Sequence, residues 1–298
     1  MRIRGLIHMI ELDHKVIGLK LYKKIKFFYF QNSQMNTFKR YLYQDNWIDL
    51  EYEEDNMSRK GQYLAYRISY VYKIEAIGRF DHVTYYDKNI LDKSLHTFLN
   101  NLGHTMFLDL EMTMPSYTFK GKGFRTELIQ AGIEICDEKF DVIKKYSNYV
   151  KPKINKELSK RAEDFLGITS IEFYKRCIEY KKFYNDFNEM LFTYSPAIVV
   201  FGKNDQLVLN DSYDINNVPS LKNKTRYINL CQLIKNYYEL KNDPGLFKLL
   251  SVYYNNSENQ IHDALDDCEE TRLVFLAFKD DILSNKYKAK IRETFNIN

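Results

Sequence analysis

Apolar positions along the chain follow two different periods, and the change of period divides it. Through residues 1–103 the segments RIRGLIHMIEL, KKIKFFYF, WIDLEYEE and YLAYRISYVYKIEAI are rich in β-branched and aromatic side chains, and several alternate apolar with polar positions. Residues two apart share one face of an extended chain, so these segments predict strands. Between them Met35, Phe38, Tyr41 and Leu42 recur at helical spacing behind Ser33, a candidate cap, and Asn56–Gly61 predicts a loop. The expectation is a small, mostly β domain, a five-stranded barrel of the OB type. A helical connector over Asp87–Leu102 then ends at Gly103.

Over residues 104–298 the pattern is mixed. Strand candidates are MFLDLEM, Thr126–Cys136, Asp141–Tyr149 and Ala197–Phe201. Amphipathic helices are predicted over Ser170–Phe192, Ile228–Tyr238, Gly245–Tyr254 and from His262 to about Ser284. Strands first and then alternating helices and strands indicate an α/β domain, with a mixed sheet flanked by helices.

The stretch MFLDLEMTMP places Asp109 and Glu111 two apart inside an apolar run, so both carboxylates leave one face of the strand. Like charges in apolar surroundings repel and lose hydration, and a divalent cation would compensate them. On its own the pair is also what an edge strand with a solvated acidic face carries. Further carboxylates come from elsewhere. The strand AIVVFG runs out into Asp205, and His262, Asp263, Asp266 and Asp267 crowd the start of a helix. Several carboxylates and one His from three separated stretches are the donors that a magnesium or manganese site with a nearby proton acceptor needs.

Composition narrows the picture further. With 45% hydrophobic and 28% charged residues the chain is globular in type, not disordered. Its longest uncharged apolar run, near Pro196–Gly202, is far too short to cross a bilayer. The opening MRIRGLIHMIEL carries charges where a secretory segment is apolar. Cysteines 136, 177, 231 and 268 form no C-x-x-C pair, so neither a zinc knuckle nor a disulfide framework is expected, and a reduced cytoplasm is the expected setting. The net charge of +4 is local: residues 14–44 hold seven basic side chains and no acidic one, interleaved with Tyr22, Phe27, Phe28, Tyr29, Phe30, Phe38, Tyr41 and Tyr43. Rings beside cations hold single strands without sequence choice, which makes Lys20, Lys23, Lys24, Lys26, Lys39 and Arg40 candidate phosphate contacts. Half of such rings must still face a core.

Five segments, FLDLEMT, TELIQAGIEICDE, YSNYVKPKINKELSKRAEDFLGITSIEF, IVVFGKNDQLVL and IHDALDDCEETRLVF, stand in an order that resembles the DEDDh 3′–5′ exonucleases. That is the DnaQ-like group of RNase T, oligoribonuclease and the Eri-type enzymes. The VKP…LS…LGIT passage is most similar to the Eri/KapD-like branch, and the resemblance covers about residues 104–282. It implies a ribonuclease H-like domain and a two-metal 3′–5′ exonuclease using Mg²⁺ or Mn²⁺. The implied substrate is single-stranded nucleic acid, RNA favoured over DNA, with release of 5′-mononucleotides. By the same resemblance Asp109, Glu111, Asp205 and Asp267 are the metal ligands and His262 the proton acceptor, with Asp266 off the site. The backbone at Met112 and the side chain of Thr113 stand where the family cradles the terminal nucleotide. Cys268 departs from the Ala usual after the paired aspartates. The alternatives are a DNA 3′–5′ exonuclease and a catalytically silent nucleic-acid-binding or regulatory protein of the same fold.

Overall fold

Alternation in the first ninety residues produces strands β1 (Arg2–Glu11), β2 (Val16–Leu21), β3 (Lys24–Tyr29), β4 (Trp47–Lys60), β5 (Tyr63–Ile77) and β6 (His82–Asp87), with helix α1 (Asn32–Phe38) between β3 and β4. They belong to a computed structural model that describes residues 1–22, 24–79, 81–255 and 263–295. The chain divides into two units, Met1–Leu95 and the residues from His96 onward. In the first, β1 pairs with β2 and β4, β5 pairs with β4, and β3 pairs with both β2 and β5. The ring of pairings closes into the expected five-stranded barrel, and closure removes the free edges of its strands. The short parallel seam Phe28↔Tyr66 and Tyr29↔Arg67 makes that closure. Inward positions Ile7, Ile17, Leu19, Phe28, Ile48, Leu50 and Ile68 fill the interior, and Met35 and Phe38 of α1 join them. Each such side chain contributes about 1.5–3 kcal/mol by leaving water.

Asn56–Gly61 is not a loop: β4 runs through Lys60 and pairs Met57↔Tyr66 to Lys60↔Tyr63 after a register shift beyond Tyr52. Ser33 does not cap α1. Gln31 does, in a reciprocal pair with Gln34.

The second unit takes its sheet from β7 (Thr105–Met112), β8 (Leu128–Cys136), β9 (Val142–Tyr149), β10 (Ala197–Val200) and β11 (Arg226–Asn229), in the order β11-β10-β7-β8-β9. β10 lies parallel to β7 and β11, whereas β8 runs antiparallel to β7 and β9. The helices are α2 (Lys88–Asn100, which begins in the first unit), α3 (Lys160–Leu166), α4 (Ser170–Arg176), α5 (Tyr180–Tyr194), α6 (Asn204–Asn216), α7 (Leu230–Tyr238), α8 (Leu246–Tyr254), α9 (Ala264–Ser284) and α10 (Lys288–Thr294). Alternation on β7 sorts its two faces. Met106, Leu108 and Leu110 pack with Phe183 and Phe187 of α5 and Leu209 and Tyr213 of α6. Phe107 meets Phe275 of α9 at 5.4 Å, so α9 covers the face that carries Asp109 and Glu111.

The helix expected over Ser170–Phe192 is two helices. At the break Ile178 donates to the Tyr149 carbonyl and accepts from Lys151, both at 2.9 Å, extending the β9 edge in place of a helical turn. Helix α6 and strand β11 stand where only a strand end and a helix were expected. No helix among the described residues is long and apolar enough to cross a membrane.

Candidate active site

Asp109 faces Gly132 across the β7–β8 pairing. A Cβ at Gly132 would lie 2.0 Å from the Ala264 carbonyl oxygen and 2.4 Å from the Leu265 nitrogen. Only glycine lets the backbone at the start of α9 rest directly on the strand. Three further contacts fix that helix. Asp263 caps it, accepting from the Leu265 and Asp266 amides at 2.9 and 3.4 Å and from Gln130 Nε2 at 2.7 Å. The buried Cys268 thiol donates to the Phe107 carbonyl at 2.9 Å. One turn on, Arg272 Nε meets the fully buried Glu134 of β8 at 2.7 Å, and Lys145 holds its other oxygen at 2.7 Å.

Docking α9 in this way brings Asp267 over β7. Carboxylate oxygens of Asp109, Glu111 and Asp267 lie within 4.8 Å of one another. Asp205 arrives from the first turn of α6, not from the strand itself. Gly202, at φ 121°, turns the chain out of β10, and Asp205 Oδ1 accepts from the Leu110 amide at 3.1 Å. Glu111, Asp205 and Asp267 are buried and Asp109 is half-buried.

The electrostatics follow from this crowding. Burial, then the neighbouring Asp205 and Asp263, push Glu111 up to about 7. Burial and then Glu111 lead the causes that push Asp267 up to about 8. Asp205 rises to about 6 through burial, although the Leu110 amide opposes the shift. Asp109 is driven well above the carboxylate range by burial and then by Asp205, Asp267 and Glu111. Such a cluster keeps its protons near neutrality unless cations replace them. Hard oxygen donors at this spacing fit a divalent cation.

His262 and Lys23 lie outside the described residues. Asp266 is exposed and is not among the carboxylates that converge. Thr113 is buried; its hydroxyl accepts from the Glu127 amide at 2.9 Å, and its own amide donates to the Glu127 carbonyl at 2.8 Å. Met112 packs partly buried on the sheet core. In the barrel Lys20, Lys24, Lys39 and Arg40 are exposed, whereas Lys26 is folded back, donating to the Tyr52 hydroxyl at 2.7 Å and lying 4.2 Å from the centres of the Tyr52 and Tyr66 rings. Phe28, Phe30 and Phe38 are core, and Tyr22 and Tyr43 are exposed. Sequence reasoning passed over Gly132, Glu134 and Glu127. The signals were a glycine and a glutamate inside the mostly apolar run LIQAGIEIC, with Glu127 directly before it.

An RNase T exonuclease family model matches residues 106–275. The probable 3′-5′ exonuclease KapD of Bacillus subtilis (strain 168) is 30% identical over 179 residues, which are 59% of this chain and 84% of that protein. Among solved structures, cell-death related nuclease 4 (CRN-4) superposes with a TM-score of 0.51 at 22% identity, over 63% of this chain and 66% of its own. A 3′-exonuclease described in its 3′-end-specific recognition of a histone mRNA stem-loop superposes with a TM-score of 0.52 at 15% identity, over 67% and 72%.

Proposed function

The chain belongs to the DEDDh-type 3′–5′ exonucleases of the RNase T family, and from that premise we propose that it removes 5′-mononucleotides from the 3′ end of single-stranded nucleic acid, RNA in preference to DNA, with two divalent ions, Mg²⁺ or Mn²⁺. The observation that carries the reading is the convergence of Asp109, Glu111 and Asp267 within 4.8 Å, with Asp205 held beside them by Leu110. These four carboxylates are the ligands that would hold the ions. Bound divalent ions supply charge neutralisation at the attacking and leaving oxygens of the in-line displacement.

The protein's own groups do the rest. A ring nitrogen of His262, whose ordinary pKa is about 6.5, accepts the proton of the attacking water near neutral pH. The water oxygen bonds to phosphorus, the P–O3′ bond breaks, and the 3′-oxygen left on the shortened strand is protonated. The Met112 backbone and Thr113 support the terminal nucleotide, with Thr113 held in place by Glu127. In the barrel, Lys23, Lys24, Lys39 and Arg40 contribute phosphate contacts to single-stranded nucleic acid, whereas Lys26, expected with them, is taken up by Tyr52 and Tyr66. The preference for RNA follows the resemblance to the Eri/KapD-like branch and the stem-loop recognition described for one structural relative.

The test is digestion of matched single-stranded and duplex RNA and DNA, labelled at either end, with Mg²⁺, Mn²⁺ or EDTA. The expected result is a ladder shortening from the 3′ end, faster on single-stranded RNA and absent in EDTA. Digestion unaffected by EDTA, or intact substrates with every metal, contradicts the reading.

A further inference from the structure

Apart from the acidic cluster, the exonuclease unit holds a cavity of about 820 Å³ built by the loop after β9, the start of α5 and the end of α6. Four lysines, Lys151, Lys153, Lys156 and Lys181, line it against one acidic side chain, Glu179. Glu179 is taken by Lys151 at 2.8 Å, and Lys153 Nζ donates to the Ile215 carbonyl at 2.8 Å. Lys156 and Lys181 are exposed and make no ion pair among the described residues. The lining Tyr174 spends its hydroxyl on the Asn155 carbonyl at 3.1 Å. The Lys156 and Lys181 ammonium groups are therefore left to a ligand, beside the side chains of Asn216 and Asn217, and like charges gathered around one cavity are relieved by an anion.

The loop bearing Lys151, Lys153 and Lys156 is fixed from below, whereas Lys181 stands at the start of α5. The Glu127 carboxylate, only 3% exposed, accepts from the amides of Lys153, Ile154 and Asn155 at 2.6, 2.9 and 2.7 Å, and from Asn155 Nδ2 at 2.6 Å. Its own peptide group is bonded in both directions to Thr113, two residues past Glu111. One hydrogen-bonded frame thus joins the strand that carries the acidic cluster to the rim of the basic cavity.

We propose that this cavity is a second binding site of the exonuclease unit, for backbone phosphates of the strand upstream of its 3′ end. The proposal rests on the reading that the 3′ end lies at Asp109, Glu111 and Asp267. Lys156 and Lys181 meet the phosphates, and Glu127 is a positioning residue. Phosphodiester is the ligand chemistry, and a free mononucleotide or inorganic phosphate is the other source the test separates.

The full chain and its Lys156→Ala/Lys181→Ala variant are compared in EDTA, by fluorescence anisotropy, with a long single-stranded oligonucleotide and with a dinucleotide across a salt series. Expected for the variant are several-fold weaker binding of the long strand and a log Kd against log salt slope smaller by about 1.4, near 0.7 per lost contact. The dinucleotide should show no such loss, and Lys156→Arg/Lys181→Arg should restore the slope. An unchanged slope, an equal loss with the dinucleotide, or a loss seen only with inorganic phosphate or a mononucleotide overturns the proposal. Because binding is read without cleavage, a chain that digests nothing would count against the proposed activity while the slope still decides the cavity.

Discussion

Two buried glutamates, one in each unit, show opposite ways of keeping a carboxylate out of water. Glu75 in β5, 3% exposed, is met by Lys73 and His82 at 2.6 Å and by Arg4 at 2.7 Å. Burial raises its pKa, but Lys73, His82 and Arg4 together hold it below the ordinary value. Glu111 in β7, 7% exposed, has acidic neighbours and makes no ion pair among the described residues, and it rises to about 7. The barrel supplies its own counter-charge. The exonuclease unit gathers carboxylates whose counter-charge must come from outside, which is the property of a cation site.

The largest effect should come from the cluster itself. Replacing even an outer partner of a metal ligand costs about 10–100-fold, so Asp109→Asn should lower kcat/KM by more than about 100-fold with the fold retained by circular dichroism. Next is the glycine that seats α9. Gly132→Ala forces the Ala264 carbonyl away from a Cβ it would meet at 2.0 Å, and should lower activity by about 10- to 100-fold and stability by about 1–3 kcal/mol in denaturant titration.

The two glutamates can then be set against each other directly. Glu75→Gln should lower Tm, losing about 1–3 kcal/mol because its cations keep only a neutral partner, and should leave metal binding intact. Glu111→Gln should leave the metal-free protein as stable or more stable at pH 8, and should abolish activity. Equal destabilisation by both would break the contrast.

Much of this was legible in the residues, and the remainder failed for identifiable reasons. The strands β7 and β8 and the extent of α9 stand close to where the sequence places them because apolar pattern and packing agree there. Asp109 and Glu111 share a face as i and i+2 positions of a strand must. The break at Ile178 was hidden because it depends on a pairing with Val150, 28 residues away in sequence. Asp205 was placed on a strand end because the turn at Gly202 into α6 carries little hydrophobic periodicity. Glu127 and Glu134 look like ordinary charged residues until the partners that bury them, the Lys153–Asn155 amides and Arg272 with Lys145, come from distant segments.

The two kinds of carboxylate also give pH dependences of opposite sign. A carboxylate held above its ordinary value of about 4 keeps a proton in the fold that the unfolded chain has released. Glu111, Asp205 and Asp267 should therefore cost the metal-free protein stability as pH rises from about 4 through 6 to 8, a cost complete only above pH 8. Glu75 stabilises above the ordinary carboxylate range, and that contribution is lost as pH falls through its lowered value. Thermal melts in EDTA should show Tm falling between about pH 5 and 8, and added Mg²⁺ should flatten the decline. A Tm that rises over that interval would place the charged form of the cluster as the stable one without metal.

Mn²⁺ binding, followed by electron paramagnetic resonance at pH 8 without nucleic acid, bears most directly on the acidic cluster. The native chain should take up Mn²⁺ saturably, Mg²⁺ should compete, and Asp109→Asn should bind far more weakly. Native protein that leaves Mn²⁺ free in solution, or an Asp109→Asn variant that binds it as well as the native chain, would contradict the account.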